Sequence, residues 1–425
     1  MNRVDRALLF CVLLAGAVPR PAAAQAEDRT PRAGEAFTGS VFGGTIEVPA
    51  RDRTRVTELW TALQWIPSGP ESRTFVPEGA LLLWRNRNGG EERFRAVLLG
   101  IYDDVRWNRK LSGKLESVLT FENTALPWAR SEYVEGRRIA SEELQWSVVR
   151  AGIGLGTRFT IAPSLQDSAV EAALTYEPGV LFFRRGSDTL ESFQPPSDAY
   201  EGRVHARLRA DAFERNLLEL THRGFGGGLD AFLAHRAGWQ DWGGGPSGPH
   251  AADGTRSWSA VSGYALAALP VPFVRSERHR LLVSAYGGAG SNLDRFSALR
   301  LSGGSNAGDF ESLSQPILPA AAFDEIATRG YGILNLEYRF EALFFLFLSA
   351  RGTLARADRV RFDAQGGFVN HTDRLDGVTV GLTSGFLWSS TIELFFSRNF
   401  GLESESGGVF SPGRNALYVS FTKSF

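Results

Sequence analysis

The chain has 425 residues with 46 Lys+Arg against 47 Asp+Glu, a formal net charge of −1, which leaves no basic surplus for a nucleic-acid partner. Its 47 glycines and 12% aromatic content suit many strands joined by turns, and a hydrophobic fraction of 43% is ordinary for a wall with one greasy and one wet face. The single cysteine, Cys11, lies in an N-terminal leader, so the exported chain is expected to lack disulfides, thiol catalysis and thiolate-bound zinc.

Met1 to Ala26 has the three parts of a secretory signal peptide: Arg3 and Arg6 at the start, an apolar run from Ala7 to Val18, and small-x-small cleavage sites at Ala22-Ala23-Ala24 and Ala24-Gln25-Ala26. Cys11 is not preceded by the small residue of a lipoprotein signal, so no lipid anchor is expected. No later stretch reaches the roughly 18 apolar residues of a membrane-spanning helix; Ala342 to Leu348 is the greasiest and is too short. Residues 1–26 are read as the leader and residues 27–76 as an N-terminal segment, periplasmic or entering a lumen. In it Val41 to Val48 suggests a strand and Leu59 to Trp65 a short helix or another strand.

From about Pro77 the two-residue alternation persists, and residues 77–425 are read as one barrel domain. Gly79 to Arg87 and Arg93 to Tyr102 flank Asn88-Gly89-Gly90, a hairpin signal. Leu115 to Phe121 follows. In Ser147 to Ile161, Val149, Ala151, Ile153, Leu155, Phe159 and Ile161 share a face, opposite Arg150, Gly152, Gly154, Gly156, Arg158 and Thr160. Ala172, Leu174, Tyr176, Val180 and Phe182 outline the next strand. Tyr200 to Asp211 is sharper still: Tyr200, Gly202, Val204, Ala206, Leu208 and Ala210 oppose Glu201, Arg203, His205, Arg207, Arg209 and Asp211. As a helix its charges would encircle the axis; as a strand it has one lipid-compatible face.

Further strands are expected at Leu217 to Arg223, Leu229 to Ala237, Trp258 to Leu269 and Leu281 to Ala289, then around Leu334 to Phe340, Leu343 to Leu354, Val378 to Trp388 and Ile392 to Phe400. The chain closes on Leu417, Val419, Phe421 and Phe425 in one parity, an apolar last strand of the kind that pairs with the first in a closed barrel. The fold class expected is therefore all-β, a transmembrane antiparallel up-and-down β-barrel of 14–16 strands in the bacterial outer membrane. Short turns at Glu341-Ala342 and Ser389-Ser390 alternate with long connections such as Leu293 to Thr328, as periplasmic turns and external loops do. Trp239, Trp242 and Trp258 are read as an interfacial aromatic belt.

Little in the sequence points to chemistry. The six histidines, His205, His222, His235, His250, His279 and His371, form no His-Glu-x-x-His or other paired ligand spacing, and no Gly-x-Ser-x-Gly is present. No enzyme activity, metal or cofactor is expected. Gly152-x-Gly154-x-Gly156 lies on one face of a strand with no helix start after it, so small wall residues explain it better than a phosphate cradle. The row Arg203, His205, Arg207 and Arg209, with Glu219 and Arg223 on the next strand, would cost several kcal/mol in hydrocarbon and is placed in the lumen. It reads as an ion-paired lining or, in a channel, as an anion-attracting wall.

The C-terminal region from Arg300 resembles surface-antigen barrels of the BamA/TamA type. Leu301-Ser302-Gly303-Gly304-Ser305-Asn306 is similar to their Gly-Gly-Ser element, a long loop follows from Asn306 to Thr328, and Asn335 to Phe340 is similar to the strand after it. Ala307-Gly308-Asp309-Phe310 stands where an Arg-Gly-Phe/Tyr lumen motif is expected, and Arg329-Gly330-Tyr331 occurs at the end of the loop. Ser420 to Phe425 resembles the family's final strand, with Thr422 where glycine is usual, and Phe421 and Phe425 would carry its assembly signal. The resemblance implies a barrel without POTRA domains, with a structural or membrane-assembly role among outer-membrane lipids, lipopolysaccharide and the barrel assembly machinery. The alternative is a porin-like channel for small polar or anionic solutes.

Overall fold

The computed structural model describes residues 29–69, 75–100, 102–125, 129–135, 137–161, 168–304, 312–363, 365, 367–385, 389–406 and 409–425. The segment read as a signal peptide, Ala307-Gly308-Asp309-Phe310, Phe386 and Trp388 lie outside these residues. Sixteen antiparallel strands form a closed wall: β1 Arg55–Trp65, β2 Phe75–Arg87, β3 Glu92–Leu98, β4 Tyr102–Ser112, β5 Leu115–Ala125, β6 Arg137–Thr160, β7 Ala169–Arg185 and β8 Ala199–Arg215 make the first half. The second half is β9 Thr221–Ala237, β10 Ser257–Pro270, β11 His279–Ser291, β12 Gly330–Leu343, β13 Leu346–Phe362, β14 Gly377–Gly385, β15 Ser390–Ser406 and β16 Val409–Ser424. Each strand pairs with its chain neighbour, and β16 pairs with β1 from Leu417↔Trp65 to Ser424↔Glu58, which leaves no open edge.

The alternation read in the sequence is the alternation of the wall. Ile153, Leu155, Leu174, Val204, Leu208, Leu229, Leu233, Leu334, Leu394 and Phe421 stand exposed on the outside, where a bilayer would cover them. Their neighbours of opposite parity, among them Arg150, Glu177, Glu201, Arg236 and Glu337, are buried inside.

The wall starts earlier than the sequence placed it. Arg55–Trp65 is a wall strand paired with both β2 and β16, so the barrel begins at Arg55 and not at 77. The cause is weak contrast: Val56 and Trp60 point inward and are buried, while Thr57 and Thr61 share the outward parity with Leu59 and Leu63. The lumen is apolar there because Trp60 packs with Ala80, Phe395 and Tyr418.

Residues 29–54 do not join the wall. They form the hairpin Phe37–Val41 with Gly44–Val48 and lie across the mouth at which β1 begins and β16 ends. Phe37 packs on Phe344 of the β12–β13 turn, and Arg32 and Ala33 bond the backbone at the β8–β9 turn. At the opposite mouth the long connections fold inward over a core of Leu144, Leu181, Phe183, Phe193, Trp239, Trp242 and Phe296. Trp239 and Trp242 are therefore buried in that cap, and Trp258 is buried in the wall against Leu293; none of the three belongs to an aromatic belt.

Candidate functional site

The strand β8 points Arg203, His205, Arg207 and Arg209 into the lumen, because Val204, Ala206 and Leu208 take the outer face. Acidic residues on the neighbouring strands meet most of this row. Arg203 donates from Nε to Glu177 Oε2 and from Nη2 to Glu122 Oε2, both at 2.7 Å. His205 lies between Glu177 Oε1, 3.1 Å from its Nδ1, and Asp230 Oδ1, 2.9 Å from its Nε2. Arg209 Nη2 donates to Asp230 Oδ2 at 2.5 Å.

The network continues toward the capped mouth. Glu122 also accepts from Arg150 Nη1 at 2.8 Å, and Arg150 Nη2 reaches Glu201 Oε1 at 2.5 Å. Glu201 is fully buried and accepts from Arg236 Nε and Trp258 Nε1, at 2.8 and 2.9 Å. Arg236 in turn donates to Asp294 Oδ2 at 2.5 Å. Carboxylate and guanidinium alternate along this chain of contacts, so it is an ion-paired lining that spans the lumen and does not present a bare positive wall. Gly152 makes room for it: a Cβ there would stand 2.7 Å from Glu177 Cγ and would also strike Thr120 Oγ1. The Gly152-x-Gly154-x-Gly156 run is thus a wall feature, with no phosphate loop around it.

The connection between β11 and β12 enters the lumen. Leu301, Leu318, Ala320, Ala321, Ala322 and Ile326 are buried there. Gly303 lies so close to this segment's return that a Cβ would land on the Ala321 carbonyl oxygen, and Gly304, at φ +98, faces Tyr418. Four charged or polar contacts fasten the segment. Gln64 Nε2 on β1 donates to Ala321 O at 2.6 Å. Arg414 Nη1 on β16 donates to Glu325 Oε1 and Oε2 at 2.6 and 2.8 Å. Arg130 Nη1 donates to Asp324 Oδ2 at 2.7 Å, and Arg300 Nη2 to Glu132 Oε1 at 3.4 Å. The first two contacts come from the two strands that close the barrel.

Several expected site residues sit elsewhere. Arg223 shares the outward parity of Phe225, Leu229 and Leu233 and is exposed, so it does not line the lumen. Arg329 is exposed at the head of β12, its N–H donating to Asp358 O at 3.4 Å and its carbonyl accepting from Gly290 N at 2.9 Å. Gly330 and Tyr331 belong to the wall strand itself, with Tyr331 packed inward against the core around Leu301. Arg329-Gly330-Tyr331 is therefore not a lumen motif at a loop tip. The inserted segment is instead fastened through Gln64, Arg414 and Glu325, and no local pattern around them announces it.

Glu219 lies in the β8–β9 turn and not on the lumen wall. It receives Arg53 from the N-terminal segment, Nε to Oε1 at 3.0 Å and Nη2 to Oε2 at 2.8 Å. Burial holds its carboxyl above the ordinary glutamate range even though Arg53 opposes the shift. Between this segment and the inserted loop remains a chamber of about 620 Å³, lined in part by Glu58, Glu337, Arg339, Arg351 and Glu393. Phe421 and Phe425 are exposed on the outer face, and the Phe425 amide donates to Thr57 O at 2.9 Å, so the seam is bonded to its last residue.

No family model and no curated protein matches the chain. Solved structures do. CdiB from Escherichia coli is 14% identical at a TM-score of 0.48, covering 92% of this chain and 67% of that one. BamA from Haemophilus ducreyi lacking POTRA domains 1-3 is 10% identical at 0.49, covering 91% and 75%. The toluene transporter TodX from P. putida is 10% identical at 0.33, covering 88% and 91%. The chain is thus similar in structure to BamA and CdiB barrels over most of its length.

Proposed function

We propose that this outer-membrane barrel serves membrane assembly as a surface-antigen-type accessory, and that its working part is the closing seam. The observation that carries this reading is the inserted segment's hold on both seam strands, through Gln64 on β1 and Arg414 on β16. A plug that only blocked a pore would need no such bond to each side of one strand pair. In this reading the exposed apolar band meets outer-membrane lipid and lipopolysaccharide, the barrel assembly machinery inserts the chain, and the protein performs no catalytic step.

The test uses the seam itself. Ala62 and Ser420 are register partners across β1 and β16. The double variant Ala62→Cys with Ser420→Cys can be oxidised in a chain whose single other cysteine is Cys11. Proteoliposomes carrying the reduced variant are expected to speed insertion of a small unfolded outer-membrane barrel, and oxidation is expected to abolish the gain. Equal insertion rates before and after oxidation would remove the seam from the mechanism; equal rates with and without the protein would remove the function.

The second reading, a porin-like channel, is favoured by one feature, the polar chamber of about 620 Å³ under the N-terminal segment. It requires that segment to move, and is tested below by conductance.

A further inference from the structure

Arginines gather at one place on the outer face of the barrel. β13 rises from Leu346 with Leu348, Ala350, Gly352 and Leu354 on that face, and Arg356 follows in the same parity. At about 3.3 Å per residue and a tilt of about 40°, the strand climbs about 25 Å from Leu346 to Arg356, the height of an apolar band. Arg356 therefore stands at the interface on the side of the capped mouth. Its register partner is Arg374, in the strand Phe368–Arg374 beside the head of β13. Two like charges directly opposite one another repel, and Asp376 lies between them. Arg356 Nη1 is 3.5 Å from Asp376 Oδ1, and Arg374 Nε bonds Oδ2. Oδ1 also accepts from Ala355 N at 3.0 Å, so both carboxylate oxygens are taken.

A third guanidinium reaches the same row. Arg398 on β15 shares the outward parity of Phe396 and Phe400, and Phe400 N donates to Asp376 O at 2.8 Å. Arg398 leans toward the mouth. Its Cζ is 5.9 Å from the Phe400 ring, and a Cβ on Gly413, one step above its bonded neighbour Asn415, would stand 3.3 Å from its Nη2. A long cationic side chain takes this course to keep its charge among headgroups. Its hydrogen bond from Nη1, 3.3 Å to Asn415 Oδ1, goes to a neutral acceptor. The side chains of Arg356 and Arg374 are 52% and 63% exposed, so the carboxylate they share covers neither. The next outward carboxylate up β13, Asp358, accepts from Thr372 Oγ1 at 2.5 Å. At the heads of β9 to β11 the outer positions hold His235, Ser257, Ser259 and Ser291 instead. The arginines thus mark one sector of the wall and not a ring around it.

Below them the wall is open. Ala350 and Gly352 leave a trough on β13, and Leu336 and Val378, the register partners of Gly352, form its banks. A Cβ on Gly352 would meet nothing within 4 Å.

We infer that this face docks one phosphorylated glycolipid of the outer leaflet. Arg356 and Arg374 hold a phosphate monoester, Arg398 adds charge from the side, and an acyl chain lies along the trough. A monoester carries close to two charges and three acceptor oxygens, so it takes donors from two guanidinium forks while Asp376 stays in place. The inference rests on the lipid-facing band of the reading above. Its failure shows in lipid binding, whereas failure of the seam shows in insertion rates.

The test is native mass spectrometry of the purified full chain in non-ionic detergent micelles, titrated with lipid A bearing two phosphates. One adduct per barrel is expected. Arg356→Gln with Arg374→Gln is expected to weaken it about tenfold or more, through the loss of charge-assisted hydrogen bonds. These positions are exposed, so the variant should keep the wild-type folded band on heat-modifiability gels. Arg184→Gln, at an exposed arginine on β7, should leave binding unchanged. Dephosphorylated lipid A and phosphatidylglycerol, a diester of single charge, should each bind about tenfold more weakly or less. No adduct, equal binding of either of those two lipids, or an unchanged affinity in the double variant would overturn the site.

Discussion

Arg414 and Glu325 face each other as a buried pair, with one guanidinium nitrogen bonded to both carboxylate oxygens. Their side chains are 1% and 5% exposed, so neither charge has water to fall back on. Removing one partner should cost about 3–5 kcal/mol, whereas replacing both by apolar residues of like volume should come near neutral. Arg414→Leu and Glu325→Leu alone are therefore expected to lower the temperature at which the folded band is lost in heat-modifiability gels. The double variant should regain most of the loss. A double variant no better than either single one would mean that the pair does more than balance charge.

Gly303 and Gly332 make a matched pair of substitutions. A Cβ on Gly303 would fall on the Ala321 carbonyl, while one on Gly332 meets nothing within 4 Å. Gly303→Ala is expected to cost about 1–3 kcal/mol through overpacking and to expose the inserted segment to protease. Gly332→Ala, on the outer face of β12, should leave both proteolysis and heat-modifiability unchanged. Equal behaviour of the two would show that the inserted segment adapts freely.

Deleting residues 29–54 removes the strap that covers the chamber. The channel reading expects wild-type protein to be silent or nearly so in planar bilayers, and the deleted form, or Arg53→Ala, to show conductance steps. Silence in all three would leave the lumen closed by the inserted segment alone and end that reading.

The strap should also respond to pH through Glu219. Its folded pKa is raised by burial, so its contribution to stability is full below the ordinary glutamate value, about 4.3, and is lost as pH rises through the higher folded value. Proteolysis within residues 29–54 is accordingly expected to quicken as pH rises from about 4.3, and Glu219→Gln should flatten that slope. A variant that keeps the wild-type slope would assign it to another group.

Deleting Phe425 removes the amide that bonds Thr57 at the end of the seam, together with an exposed apolar ring. Slower assembly into outer membranes is expected, scored as the folded fraction on gels. Normal assembly of the shortened chain would strip the last residue of that role.

Much of the wall was legible because one face had to be greasy. Tyr200 to Asp211 could be assigned residue by residue, and the lumen side of Arg203 follows from Val204 and Leu208 alone. Arg223 belongs to the same strand as Phe225, Leu229 and Leu233, not to a separate one ending at 223, and their shared parity carries it outward. Arg55–Trp65 was obscured for a physical reason: its inward Val56 and Trp60 face a lumen made apolar by other parts of the chain. Trp239, Trp242 and Trp258 carry no local mark of whether lipid or protein covers them, since an aromatic ring suits both. Gln64, Glu325 and Arg414 act through partners 257 and 89 positions away, a distance that no spacing rule spans.

The strap has a consequence for the order of events. Its anchors are Glu219 in the β8–β9 turn, Phe344 in the β12–β13 turn and Glu341 at the end of β12. Each is translated long after residues 29–54, and the chamber it covers is complete only when β16 has met β1. The part of the described chain that is made first can therefore reach its full set of anchors only after the strands that carry them are in place.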